Sequence, residues 1–346
     1  MDFLRPEFET AIEPWIEGDI IRIGRFAYTA VDIINLAGAD AYKQAFNDWI
    51  LDEWIPTRRD RKEALLRLGE NDSRFNDLKQ IIASGRSIPF VGSGMSCPTG
   101  MPTWTRFLRE TCKKTKGLGL KHLDHFMDIG DFEGAATEIF GDMPAQLFDE
   151  RFESSFTIKQ RQFISGPVQL LPYLFESTVI TTNFDGVLEL VYGSAHKAFQ
   201  FILYGTGVGD FRKKVTLGAR CLLKLHGDYT ANYGRVLLKD EYEEFYCEGC
   251  SGQIELSHIF RGGGLLFLGC SLWQDRTMSL LKQLADNDRN MPRHYAFLLK
   301  PGSKKRIIER EHFLTERNVF PIWYDGDHDA DIESLLVGLM EDLKKL

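Results

Sequence analysis

After Ser87, short apolar runs alternate with longer stretches of helical spacing, and this alternation constrains the fold more than any other feature of the chain. The apolar runs lie at residues 88–91, 178–182, 221–225, 265–270, 295–299 and 320–324. The stretches of helical spacing include residues 103–116, 275–285, 303–317 and 329–346. Strands that are apolar on both faces and alternate with helices are typical of a parallel sheet covered on both sides. The pattern therefore predicts a doubly wound, Rossmann-like α/β fold.

Two other regions are predicted to be helical. Residues 117–173 have helical periodicity and no clear strand, which predicts a helical insertion that roofs a cleft. Residues 1 to about 85 are also predicted to be mostly helical, with Asp72 and Ser73 capping a helix over 74–84 that Gly85 ends. We therefore divide the chain into a helical extension at 1–80 and a main domain at 81–346 that contains the insertion.

The extension is rich in aromatic residues but contains no recognisable catalytic group. Its aromatic side chains include Trp15, Phe26, Phe46, Trp49 and Trp54. Aromatic surface of this extent is expected to be buried against the same chain or against another copy of it. We favour the second arrangement and predict a homo-oligomer.

Charge and composition exclude several classes of protein. Acidic residues number 50 and basic residues 42, so the formal net charge is −8. Duplex-binding surfaces usually need a basic excess, and direct nucleic-acid binding is therefore not expected. The longest apolar run, 265–273, is too short to cross a bilayer, and the N-terminus lacks a signal-peptide pattern. The six cysteines do not form a regular disulfide framework, so we expect a reduced, cytoplasmic protein with no membrane association.

The first candidate binding segment is a glycine-bounded turn, Gly92-Ser93-Gly94, that follows the apolar run at 88–91. Glycines let a backbone approach a diphosphate closely, so that amide groups face its oxygens. The spacing departs from the dinucleotide fingerprint because the next glycine is Gly100, and no Gly-Lys-Ser/Thr follows as in a P-loop. The segment is therefore open to two interpretations, a phosphate-binding loop or a simple turn.

Polar side chains also follow three later apolar runs. They are Asn183 and Asp185 after the second run, His226 after the third, and Ser271 and Asp275 after the fourth. Ligands in open α/β sheets bind outside the carboxyl ends of the strands, so these side chains are predicted to share one site. Asn and Asp are common in turns, and a lone histidine is more often structural than catalytic. A histidine at such a position is nevertheless suited to act as a general base near neutral pH.

These segments together resemble the sirtuin family. The resemblance rests on Val91-Gly92-Ser93-Gly94-Met95-Ser96 with Gly100-Met101-Pro102, on Thr182-Asn183-Phe184-Asp185, on Leu225-His226-Gly227 and on Leu268-Gly269-Cys270-Ser271-Leu272. They are similar, in order, to the family's glycine-rich loop with glycine-isoleucine-proline, its asparagine and aspartate motif, its catalytic histidine-glycine and its later glycine-containing strand. The resemblance extends from residue 86 to about 325 and implies a sirtuin-like, NAD-binding catalytic domain at 81–346.

Features of the protein deacylases of this family are missing. Those enzymes carry two Cys-x-x-Cys pairs that hold a structural zinc, whereas Cys247-Glu248-Gly249-Cys250 has no second pair after it. Structural zinc needs four ligands, so we expect no metal. Thr103-Trp104-Thr105-Arg106 also replaces the aspartate-phenylalanine-arginine of deacylases. Such departures are typical of the bacterial sirtuin-like proteins that cleave NAD in antiphage defence.

The resemblance to that branch implies an NAD glycohydrolase, with NAD as substrate and with nicotinamide and ADP-ribose, or a cyclic form, as products. It implies catalytic roles for Asn183, Asp185 and His226, and NAD-binding roles for Gly92, Ser93, Gly94, Ser96, Thr182, Ser271 and Asp275. It also implies a separate partner such as a HerA-type ATPase or another sensor subunit. Two alternatives remain open: an NAD-dependent protein deacylase, and a non-catalytic sensor of NAD or another nucleotide.

Overall fold

The computed structural model describes residues 1–16, 20–159, 163–205, 210–230, 234–273 and 275–346. The chain divides into two compact units, Met1–Ala64 and Leu65–Leu346. The predicted division into a helical extension at 1–80 and a main domain at 81–346 stays a prediction.

The N-terminal unit is mostly helical, as predicted, but it also contains a short antiparallel hairpin. Its elements are α1 (Arg5–Ile12), β1 (Ile21–Ile23), β2 (Phe26–Tyr28), α2 (Ala30–Leu36), α3 (Ala39–Trp49), a π-helical turn (Ile50–Trp54) and most of α4 (Ile55–Leu66). The hairpin was missed because strands of three residues are too short to show an alternating pattern.

The aromatic residues of this unit have two different environments. Phe8 is fully buried, and its ring lies 5.4 Å from the rings of Tyr42 and Phe46, measured between centroids. Trp15 and Phe26 are each 55% exposed. The unit therefore has an aromatic core of its own, and part of its aromatic surface still faces solvent.

Seven parallel strands form one sheet in the described part of the second unit. They are β3 (Ser87–Val91), β4 (Thr178–Thr181), β5 (Phe201–Tyr204), β6 (Cys221–Lys224), β7 (Gly264–Leu268), β8 (His294–Leu299) and β9 (Val319–Tyr324). The predicted fold class is confirmed. Strand β5 was not predicted, because a run of four apolar residues does not by itself distinguish a strand from a helical turn.

The strand order places a crevice at the centre of the sheet. The order is β5-β6-β4-β3-β7-β8-β9, and Phe90 of β3 pairs with Ile180 of β4 on one side and with Phe267 of β7 on the other. The chain builds the sheet outward from β3 in one direction and then, from β7 onward, in the other. Such a reversal leaves a ligand-binding crevice at the carboxyl ends of the adjoining strands.

Helices cover both faces of the sheet and form the insertion. In chain order they are α5 (Asn71–Ala83), α6 (Trp104–Cys112), α7 (Leu120–Ile129), α8 (Phe132–Gly141), α9 (Ala145–Phe156), α10 (Leu171–Leu174), α11 (Val187–Ser194), α12 (Phe211–Thr216), α13 (Lys239–Tyr246), α14 (Ser251–Gly262), α15 (Arg276–Asn287), α16 (Lys304–Thr315) and α17 (His328–Asp342). Helices α7, α8 and α9 lie within residues 117–173, and α10 ends one residue beyond them. The described part of this segment is therefore helical, as predicted, while its bounds as an insertion stay a prediction.

Helix α5 begins three residues before the predicted start. Asp72 and Ser73 lie inside the helix and do not cap it. The reason is Asn71, whose buried side-chain amide donates to the carbonyls of Leu65 and Trp323 while its Oδ1 accepts from the Trp323 amide. These long-range bonds fix the start of the helix, and a local capping pattern cannot reveal them.

The insertion packs through a cluster of phenylalanine side chains. Phe107, Phe148, Phe152 and Phe156 are buried together with Phe184, which lies just beyond the end of β4. The rings of Phe152 and Phe184 are 4.8 Å apart between centroids, and those of Phe156 and Phe184 are 5.6 Å apart. The insertion is therefore packed directly onto the strand end that carries the candidate site.

The loops that follow β3 and β7 make a close backbone contact. The Gly92 amide donates to the Leu268 carbonyl at 2.8 Å, and the Gly94 amide donates to the Gly269 carbonyl at 3.0 Å. A Cβ atom on Gly92 would lie 2.6 Å from the Gly269 oxygen, and one on Gly269 would lie 2.5 Å from the Met95 nitrogen. Gly269 also has a φ of +64°. Glycine is therefore required at these positions so that the two loops can meet.

We expect Gly269→Ala to lower the free energy of unfolding by about 3 kcal/mol, because it adds both left-handed backbone strain and a steric overlap. Urea denaturation followed by circular dichroism measures the change. Gly141→Ala is the matched control, since nothing lies within 4 Å of a Cβ at that helix position. Equal stability of the two variants would contradict a tight contact between the loops.

Candidate functional site

A cavity of about 850 Å³ opens at the carboxyl ends of β3, β4, β6 and β7. Sites for cofactor-sized ligands have volumes of this order. The predicted residues that line it are Gly92, Ser93, Gly94, Thr182, Asn183, Asp185, His226, Ser271 and Asp275. Residues of the insertion, among them Asp131, Phe132 and Glu133, line it as well. The sheet thus brings the predicted side chains together around one space, and the insertion forms part of its wall.

A hydrogen-bond network joins the loops that follow β3 and β4. The Asn183 side-chain amide donates to Ser96 Oγ at 3.1 Å, and that hydroxyl donates to Asp185 Oδ1 at 3.2 Å. The Val187 amide donates to the same carboxylate oxygen at 3.0 Å. Burial raises the pKa of Asp185 against the effect of these bonds. Ser96, which does not line the cavity itself, thereby positions the two side chains that do.

Two backbone amides of the glycine turn are hydrogen-bonded within the protein, which the sequence pattern did not indicate. One of the two interpretations of this turn had its amides facing a diphosphate, but those of Gly92 and Gly94 donate to carbonyls of the β7 loop. The glycines are explained at least as well by that close approach as by ligand contact. Gly92, Ser93 and Gly94 still line the cavity, so their predicted role in binding stays a prediction.

Lys224, the last residue of β6, holds the strand ends together. Its side chain is fully buried, and its ammonium donates to the carbonyls of Phe184 and Asp185 at 3.2 and 2.7 Å. It also pairs with the carboxylates of Glu189, at 2.9 Å, and of Asp228. Burial by itself would lower the pKa of Lys224, but the two carboxylates outweigh it and the pKa is raised. The ammonium therefore stays charged and fixes the segment that carries Asn183 and Asp185.

His226 lies at the end of β6 between two tyrosine side chains of α13. Its Nε2 is 3.1 Å from the Tyr246 hydroxyl, and its Nδ1 is 3.3 Å from the Tyr242 hydroxyl. Burial lowers the pKa of His226 to about 3. The imidazole is therefore neutral across the physiological pH range, with one ring nitrogen as donor and the other as acceptor.

The far wall of the cavity is formed by the loop after β7 and the start of α15. Asp275 caps α15 by accepting from the Met278 amide at 2.8 Å, and burial raises the pKa of its carboxyl to about 6. Arg276 forms a bidentate pair with Glu133 of α8, with its Nε and Nη2 at 2.9 and 2.8 Å from the two carboxylate oxygens. The insertion is thus tied to α15 across the cavity.

Sequence reasoning missed several residues of this site. Lys224 could have been found from the sequence, because a lysine inside a run that is apolar on both faces needs buried partners. Tyr242 and Tyr246 could also have been paired from the sequence, since their spacing of four residues places them on one face of a helix. The pairing of Glu133 with Arg276 could not have been found from the sequence, because it depends on how the insertion folds back onto the sheet.

The sulfur atoms of Cys247 and Cys250 lie side by side just before α14, whereas Cys97, Cys112, Cys221 and Cys270 are free. The expectation of a reduced chain stays a prediction. Within the described ranges, no group of three or more His, Cys, Asp or Glu side chains is arranged to hold a metal ion. The expectation of no metal stays a prediction.

Comparison with protein-family models gives a match to part of the chain. A model of the SIR2-like domain matches residues 177–322, which run from the start of β4 into β9. The match includes Asn183, Asp185 and His226 but not the glycine turn after β3. No curated protein matches the chain. The match supports a sirtuin-like domain and an NAD-related activity in this part of the chain.

None of the helices in the described residues combines the length and the apolar character that crossing a bilayer requires.

We expect Lys224→Met to lower the free energy of unfolding by about 4 kcal/mol, because it leaves Glu189 and Asp228 without their buried cation. Urea denaturation measures the loss. Lys282→Met is the matched control: Lys282 pairs with Asp286 at the surface, and its loss is expected to cost less than about 1 kcal/mol. Similar losses in both variants would show that Lys224 does not organise the strand ends.

Proposed function

We propose that this chain is an NAD glycohydrolase that releases nicotinamide and leaves ADP-ribose or a cyclic form of it. The observation that carries the proposal is the convergence of Asn183, Asp185 and His226 on one cavity. All three lie in the part of the chain that matches the SIR2-like domain. The position of the cavity at the reversal of strand order is where open α/β sheets bind nucleotides.

The charge of the cavity wall supports cleavage of the N-glycosidic bond. That cleavage develops positive charge on the ribose, as in glycoside hydrolysis. Asp131, Glu133, Asp185 and Asp275 line the cavity, and Arg276 is the only Lys or Arg among its described lining residues. Fixed carboxylates that face such a cation stabilise it as its charge develops. Nicotinamide departs as a neutral molecule, so its departure needs little acid catalysis.

Asn183 is suited to orient the ribose or the attacking water. Its side-chain nitrogen is engaged by Ser96, which leaves the side-chain oxygen directed away from that bond. Among the described residues, none donates a hydrogen bond to this oxygen. A ribose hydroxyl or a water molecule supplies the missing donor.

His226 is suited to a neutral role in the same reaction. With a pKa near 3, the ring adds no positive charge beside the developing cation. It is a weak base, and it therefore contributes more through hydrogen bonds than through complete proton removal. Those bonds reach the ligand through the hydroxyl groups that flank the ring.

We expect Asn183→Ala to fold normally and to release nicotinamide from NAD at least about a hundredfold more slowly, because one preorganised polar group is lost. Nicotinamide is measured by liquid chromatography after incubation with NAD. Asn287→Ala, at the exposed end of α15, is the control and should keep the wild-type rate. Release at the wild-type rate by Asn183→Ala would remove Asn183 from the mechanism.

The same assay separates the alternatives. Wild-type protein is incubated with NAD in the presence and absence of an acetyl-lysine peptide. A glycohydrolase releases nicotinamide without peptide, whereas a deacylase consumes NAD only when peptide is present. A sensor binds NAD and releases no nicotinamide under either condition.

A role in antiphage defence and a separate activating partner belong to the same proposal. Constitutive loss of NAD is toxic, so the activity needs a trigger. A HerA-type ATPase or another sensor subunit encoded nearby is the partner that the sirtuin-like resemblance suggests. The assay is therefore run with the purified chain alone and with the product of the neighbouring gene.

Self-association of the chain is also proposed, and exposed apolar residues of the N-terminal unit support it. Ile23, Phe26 and Leu36 are 65%, 55% and 73% exposed. Ile23 and Phe26 are directly paired across the hairpin of β1 and β2. Apolar surface concentrated in this way is typical of an interface between protein chains.

We expect the full-length chain to be an oligomer and the double variant Ile23→Lys, Phe26→Lys to have a lower mass, because two charges would be buried in the interface. Light scattering coupled to size-exclusion chromatography measures the mass. Leu217→Lys, which changes an exposed leucine of the second unit, should leave the mass unchanged. A monomeric wild-type chain would disprove the proposed self-association.

A further inference from the structure

The cavity has few groups that can bind a phosphate. On the proposed function, on which this inference rests, the ligand carries a diphosphate with a negative charge on each phosphate. Four carboxylates and a single arginine are among the described residues that line the cavity. Like charges repel, so a diphosphate binds only where donors and positive charge are within reach. The groups that offer both therefore determine where the phosphates lie.

The amides of the glycine turn are mostly used within the protein. Those of Gly92 and Gly94 donate to carbonyls of the β7 loop. Those of Met95 and Ser96 donate to carbonyls of the turn itself. At these positions only the Ser93 amide has no acceptor among the described residues. The turn therefore offers a phosphate one backbone hydrogen bond and no positive side chain.

The start of α15 is capped by the chain itself. The Asp275 carboxylate accepts from the Met278 amide at 2.8 Å. A helix N-terminus is an anion-binding position when its amides are free. Here a carboxylate already occupies that position, so the helix end does not supply the missing charge.

Arg276 is the group that remains. Its Nε and Nη2 pair with the Glu133 carboxylate at 2.9 and 2.8 Å. Nη1 donates to none of the described residues, and the side chain lines the cavity with 36% of its surface exposed. A guanidinium has five N–H donors in a planar fork, and this pair uses only the edge formed by Nε and Nη2. The edge formed by Nη1 and Nη2 is open.

We propose that Arg276 binds the diphosphate of the ligand through the guanidinium edge formed by Nη1 and Nη2, while Glu133 holds the other edge. Contacts of arginine with phosphate are charge-assisted and frequently bidentate, which suits this planar edge. The phosphate-binding role thus belongs to a residue of α15 that the sequence motifs do not include.

This assignment orients the ligand across the sheet. Strands β4 and β7 lie on either side of β3, so their ends are separated by two strand spacings, or about 10 Å. Asn183 and Asp185 follow β4, whereas Arg276 follows β7. The ribose and diphosphate of a dinucleotide are long enough to bridge that separation. The phosphates therefore bind on the β7 side and the reacting bond lies on the β4 side.

The assignment is tested by ligand-observed NMR titration of the full-length chain with ADP-ribose and with adenosine, which lacks the diphosphate. We expect Arg276→Gln to bind ADP-ribose at least about tenfold more weakly and adenosine with unchanged affinity, because a charge-assisted contact to the phosphates is lost. Arg293→Gln is the matched control, since Arg293 pairs with Asp77 at the surface and does not line the cavity. It should bind both ligands like the wild type. Unchanged binding of ADP-ribose by Arg276→Gln, or equal weakening for both ligands, would overturn the proposal.

A second variant separates phosphate binding from the tie between α8 and α15. Arg276→Gln removes both the guanidinium and the ion pair, whereas Glu133→Gln breaks the ion pair and keeps the guanidinium. We expect Glu133→Gln to bind ADP-ribose at least as tightly as the wild type, because a negative charge beside the phosphates is removed. If Glu133→Gln instead binds ADP-ribose as weakly as Arg276→Gln, Arg276 acts only by holding the insertion in place, and the proposal is wrong.

The titrations separate this inference from the proposed function. Absence of nicotinamide release by the wild type, with and without its partner, would disprove the glycohydrolase. Binding of ADP-ribose needs no turnover, so the comparison of Arg276→Gln with Glu133→Gln would still decide where the diphosphate binds. A wild-type chain that does not bind ADP-ribose would overturn the present inference.

Discussion

The candidate site depends on one buried cation. The Lys224 ammonium sits at the end of β6 and binds the backbone of the segment that follows β4, together with two carboxylates. Removing a charge from water is costly unless it is surrounded by partners of the opposite polarity. The partners are Glu189 of α11 and Asp228 beyond His226, so the ion also determines where those two segments lie. Asn183, Asp185 and His226 are arranged around a charge that does not line the cavity itself.

A second constraint comes from the insertion. Its phenylalanine cluster packs on Phe184, and the Glu133–Arg276 pair ties α8 to α15. The first contact is apolar and the second is ionic, and they lie at different parts of the cavity wall. The insertion therefore contacts the wall of the cavity from more than one side.

Much of the fold was predictable because its signals are local. Six of the seven parallel strands follow from apolar runs, and the position of Asn183, Asp185 and His226 follows from the rule that parallel strands end at one edge. The start of α5 was not predictable, since Asn71 bonds to Trp323 at a distance of 252 residues along the chain. The hydrogen bonds from the Gly92 and Gly94 amides to the β7 loop were not predictable either, because they also join segments that are far apart in the sequence. A sequence pattern shows that a glycine is needed, but it does not show which backbone comes close to it.

The side chain of Phe184 has no acidic, basic or hydrogen-bonding group, yet its position is constrained from two directions. Its ring is held by Trp104, Phe152 and Phe156, while its carbonyl accepts from the Lys224 ammonium and from the Tyr229 amide. Since Asn183 and Asp185 are its immediate neighbours, the spacing between those two polar groups is set by an apolar side chain. Any requirement on the geometry of Asn183 and Asp185 is therefore also a requirement on Phe184, a residue that a search for reactive side chains would not identify.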